Sequence, residues 1–71
     1  MTIEQATKIL NTMKNTTAQQ VFTMPVADFQ AVVSLIGEAQ YTFYKAGLFD
    51  LESECMALET PWYQRQMFMA A

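Results

Sequence analysis

The sequence predicts an all-α fold: three to four short helices around a central antiparallel helical hairpin, assembled as a homo-oligomeric bundle. Three observations carry this expectation. Apolar residues recur at steps of three and four, and no stretch of useful length alternates as a strand would. Capping and stop residues flank those apolar runs. The chain is also short for its hydrophobicity. Seventy-one residues, 52% hydrophobic and 15% charged, form one small domain (1–71), which buries only about 60% of its unfolded surface. The apolar surplus then marks association sites.

The first helix is expected over 3–14. Thr2 and Gln5 have the spacing of a capping box, and Ile3, Ala6, Ile9, Leu10 and Met13 fall on one face. Asn15, Thr16 and Thr17 compete for backbone hydrogen bonds and end it. The connector 15–24 admits two readings. Thr17 and Gln20 can box a short helical turn through Phe22, or residues 20–24 can run extended, because Pro25 biases Met24 away from the α region. Val21, Phe22 and Met24 place this connector across the core.

The central helix is expected over 25–46. Thr23 is its expected N-cap, Pro25 occupies the first turn and Asp28 complements the dipole. Phe29, Val33, Ile36, Gln40 and Phe43 repeat at heptad spacing and, with Gly37 at the edge, form a candidate oligomer seam. Gly47 supplies a left-handed stop, with Leu48 folding back on Phe43. A third helix follows over 50–59, capped by Asp50, with Leu48, Leu51, Cys55, Leu58 and Trp62 on one line. Phe49, Met56 and Tyr63 make a second line. Thr60 and Pro61 start a terminal helix over 61–69.

Composition excludes much chemistry. There is no histidine, one cysteine (Cys55) and four basic residues (Lys8, Lys14, Lys45, Arg65). A His/Cys metal cage and an internal disulfide are both impossible. Cys55 lies on an apolar line, where a free thiol acts as a small hydrophobe, and no histidine base could activate it. Asp50, Glu52, Glu54 and Glu59 concentrate acidity in one stretch and read as a solvated helix face. With a net charge of −3, nucleic acid is not an expected partner. No run approaches the ~20 apolar residues of a membrane span. Met-Thr-Ile-Glu-Gln carries an acid where a secretory leader is basic, and the lone cysteine suits a reducing compartment, so cytoplasm is the expected location. No catalytic residue and no cofactor are expected.

The surplus is in methionine and aromatics. Trp62, Tyr63, Arg65, Met67, Phe68 and Met69 combine the residue types that dominate binding hot spots with adaptable methionines. They are the candidate partner-binding residues, toward a second copy of this chain or another protein. The expected function is a non-enzymatic interaction module that occupies a surface of another protein, the profile of an accessory or inhibitor protein of a phage or mobile element. The alternative is a small-molecule or nucleotide binder with a pocket between protomers, where Tyr41 and Tyr44 stack a planar ligand and Lys45 supplies charge.

Overall fold

Each helix starts and stops for a local chemical reason. In α1 (Ile3–Lys14) the Thr2 and Gln5 side chains cap each other's backbone N–H groups at 2.9 and 3.1 Å. This satisfies two donors that a helix start leaves unpaired. Thr17 and Gln20 repeat the device at 2.8 and 3.1 Å and start α2 (Ala18–Thr23). Met24 then turns extended (φ −68°, ψ 152°), as a residue before proline prefers. The connector is therefore helical, and the fold has five helices among the described residues, 1–70 of this computed structural model.

The central helix, α3, runs Val26–Lys45 with Pro25 as its N-cap and no side-chain cap. Thr23 does not cap it. Its hydroxyl donates to the Gln19 carbonyl at 2.9 Å, because the extra turn of α2 makes that nearer acceptor available. At the other end Gly47 adopts φ 73°, a conformation open to glycine at little cost. The Leu48 N–H donates to the Phe43 carbonyl at 2.9 Å and the Gly47 N–H to Tyr44 at 3.1 Å. This pair closes a Schellman turn and sends the chain back as α4 (Phe49–Leu58). The N-cap of α4 is Leu48, not Asp50, which lies in the first turn. Because the Schellman turn already fixes Leu48, its carbonyl accepts the first helical bond, from Glu52 at 3.0 Å. After a one-residue break at Glu59, α5 runs Thr60–Ala70.

Helix α3 packs against both α1 and α4, and α2 packs against α5. Ala6, Leu10 and Met13 of α1 meet Phe29, Ile36, Ala39 and Phe43 of α3 and Cys55 of α4 in one buried cluster that also takes in Val21 and Trp62. The Cys55 thiol donates to Met13 sulfur at 3.8 Å. Lys14 and Glu54 pair at 2.6 Å between α1 and α4, both about two-fifths exposed, so the pair contributes at most about 1 kcal/mol.

Helix α5 is fixed by two residues one turn apart. Trp62 is 3% exposed and stacks on Phe29, with centroids 5.9 Å apart and planes 14° from parallel. Arg65 donates from one guanidinium nitrogen to the carbonyls of Val21 and Met24, both at 2.7 Å, and lies 4.6 Å from the Phe29 ring centroid. Pro25 explains the first of these bonds. The Val21 carbonyl would take its helical donor from residue 25, and proline has none.

Two substitutions test this anchor. Trp62→Ala should cost about 3–5 kcal/mol through the cavity it leaves, and circular dichroism melts should show a largely unfolded protein. Arg65→Met keeps the stem but leaves two carbonyls without their charged donor. It should lose about 2 kcal/mol or more in urea unfolding, and an unchanged midpoint would contradict the clamp.

Candidate functional site

The terminal helix divides the candidate partner-binding residues into an inner and an outer set. Trp62 and Arg65 face the protein's own interior, as described. Tyr63, Met67, Phe68 and Met69 are exposed, with Met67 at 72% and Phe68 at 75%. Phe68 meets the exposed ring of Phe22 on α2 edge-on, at 6.2 Å between centroids. Phe22, expected in a connector across the core, lies outside, because the short helix α2 buries Val21 instead. Farther along, Phe49 and Met56 of α4 are more than half exposed, as is Tyr63. These three residues, seven apart, give the outer surface of α4 and α5 an apolar character.

The heptad-spaced residues of α3 are likewise divided. Phe29, Ile36 and Phe43 are buried within the chain itself. Val33 and Gln40 are half-buried and Gly37 is exposed. A Cβ added at Gly37 would meet nothing within 4 Å, so no helix approaches closely there. Instead Val33, Ile36, Gly37 and Gln40 form one wall of a cleft of about 180 Å³, with Glu59, Trp62, Tyr63 and Gln66 as the other.

Glu59 is the unexpected member of that cleft. It is only 5% exposed, so the expectation of a solvated acidic face fails at this position. Its spacing explains why: Glu59 stands four residues after Cys55 and three before Trp62, both buried, and shares their side of the chain. Burial raises its carboxyl above the ordinary value, and the nearby Tyr63 hydroxyl opposes that shift only in part. Among the described residues the one ion pair is Lys14–Glu54, so Glu59 has no cationic partner.

Tyr41 and Tyr44 lie on the exposed side of α3 near its end. Lys45 sits 5.8 Å from the Tyr41 ring centroid, and Tyr44 meets Phe49 edge-on at 6.3 Å. Tyr41 and Lys45 border an open groove with Met1 and Ile3. Cys55 is fully buried, and burial together with the charges of Glu59 and Glu52 pushes its thiol up to about 11. It therefore stays protonated at neutral pH and is a poor nucleophile. Among the described residues no group of three Cys, Asp or Glu side chains could hold a metal ion, and no helix is long and apolar enough to cross a membrane.

Comparison with known protein families, with curated proteins and with solved structures finds no match to this chain.

The buried carboxyl makes stability depend on pH in a defined direction. Because its folded pKa is raised, the native state holds the proton more tightly than the unfolded chain does. The cost of ionising Glu59 is absent below the ordinary glutamate value of about 4.5 and grows as pH rises from there through the raised one. Glu59→Gln should therefore be more stable than the parent at neutral pH, with the difference closing toward about pH 4. Urea unfolding at both pH values measures this; a gap of the same size at each would contradict the assignment.

Proposed function

We propose that this protein is a non-enzymatic interaction module that acts by occupying a surface of another protein, with the outer face of α5 as its contact surface. The observation that carries the reading is the pairing of exposure with rigidity. Met67 and Phe68 stand about three-quarters exposed on a helix whose inner side is held by the Trp62 stack and the two Arg65 hydrogen bonds. Side chains displayed on a fixed helix lose less freedom on binding than side chains on a mobile segment. Phe22 on α2 adjoins Phe68 on this face, and Tyr63 on α5 and Met56 and Phe49 on α4 are further exposed apolar residues. An aromatic and methionine surface suits a partner helix or groove whose apolar residues it covers.

Self-association belongs to the same reading, since a second copy presents the same surplus. Size-exclusion chromatography with light scattering measures it; a clean monomer at micromolar concentration would restrict the reading to other proteins.

The direct test is affinity capture from the native host with the parent and with Phe68→Glu as bait. Phe68 is outside the core, so the variant should lose only the edge-on contact with Phe22, about 1 kcal/mol of stability. Capture of the partner should weaken by about 2 kcal/mol or more, roughly thirtyfold. Equal recovery by both baits would remove α5 from the interface.

A further inference from the structure

We propose that the cleft between α3 and α5 is a binding site for an aliphatic ammonium group, with Glu59 as its counter-ion and Val33, Ile36 and Trp62 as walls for the attached carbon chain. This goes beyond the docking role of α5, since the cleft does not involve Met67 or Phe68.

The volume sets the scale. About 180 Å³ lies below the ~300–1,000 Å³ of sites that take drug-sized ligands, so the occupant is a fragment or a single side chain. Charge sets the sign. On a residue as buried as Glu59 a carboxyl is costly to ionise unless donors or a cation offset the lost hydration; the Tyr63 hydroxyl does so only in part, and among the described residues no cation pairs with it. Lys14 is committed to Glu54, Arg65 to the Val21 and Met24 carbonyls, and Lys45 lies by Tyr41. Lys8 borders a different groove, with Met1, Gln5, Ile9, Leu35 and Glu38.

One carboxylate among apolar walls suits an organic ammonium better than a metal ion, which needs a cage of oxygen ligands. An alkylammonium brings three donors and no acceptor. The cleft offers the Glu59 carboxylate, which has the Tyr63 hydroxyl beside it, and Gln40 and Gln66 are polar members of its lining. Trp62 adds an indole, the best aromatic surface for a cation, and Tyr63 a second ring. Binding a cation beside Glu59 would reverse the rise in its pKa, since a nearby opposite charge favours the ionised form. Such a group comes from a free amine or from the lysine side chain of a bound protein.

Trp62 is the only tryptophan, so its fluorescence reports the cleft directly. Titration of the intact protein with n-butylammonium at neutral pH should change that emission saturably. In Glu59→Gln the affinity should fall about tenfold or more, and n-butanol should be similarly weak against the parent. Gly37→Leu builds a side chain from open space at the cleft wall. It should block the response while leaving the circular dichroism spectrum intact. Tighter binding of acetyl-Gly-Lys-Gly-amide than of n-butylammonium assigns the ammonium to a partner's lysine; binding no tighter assigns it to a free amine. The proposal is overturned if neither probe gives a saturable response, or if n-butanol or the Glu59→Gln variant responds like the ammonium on the parent. That failure would leave capture through Phe68 untouched, and loss of capture would leave the titration untouched.

Discussion

The arrangement depends on a carbonyl that lacks a helical donor. Pro25 removes the N–H that the Val21 carbonyl would otherwise receive, and Val21 is fully buried, so water is a poor substitute. A buried backbone acceptor without a partner costs on the order of 1–3 kcal/mol. Arg65 meets that need from the far end of the chain and takes the Met24 carbonyl with the same nitrogen. The guanidinium then lies by Phe29, whose ring also stacks on Trp62. One proline thus accounts for a cation drawn inward in a chain with only four. It also explains why α5 is held at the α2 end of the molecule.

This anchoring gives α5 two unlike sides. The inner side is spent on stability, leaving Tyr63, Met67, Phe68 and Met69 outward. A chain this small cannot bury all of its large apolar residues, and the geometry decides which remain outside. Glu59, at the break between α4 and α5, falls on the inner side for the same geometric reason. An acid is therefore placed where periodicity would favour a hydrophobe.

Much of the fold was legible because its determinants are local. The Thr2–Gln5 box, the heptad step through Phe29, Ile36 and Phe43, and the Gly47 stop each lie within a few residues of what they specify. The same holds for Thr17 and Gln20, where a real capping box competed with the signal of Pro25; both operate, one at each end of α2. Asp50 and Thr23 misled as caps because Leu48 was already fixed and the Gln19 carbonyl lay nearer. The site was legible only as composition. Which of Trp62, Tyr63, Arg65, Met67 and Phe68 would turn inward depends on pairings across some forty residues, with Val21, Met24 and Phe29. Two clues were nonetheless present: a proline four residues after Val21, and the spacing of Glu59 from Cys55 and Trp62.

The separation between the two halves of the Arg65 clamp has a consequence for biosynthesis. Arg65 follows Met24 by 41 residues, and ribosomes add roughly 5–20 residues per second. The carbonyls of Val21 and Met24 are therefore made several seconds before their donor exists. Through that interval α2 lacks the hydrogen bonds that close its C-terminal end. The clamp is thus a late step of folding, open until the segment that carries α5 has been made.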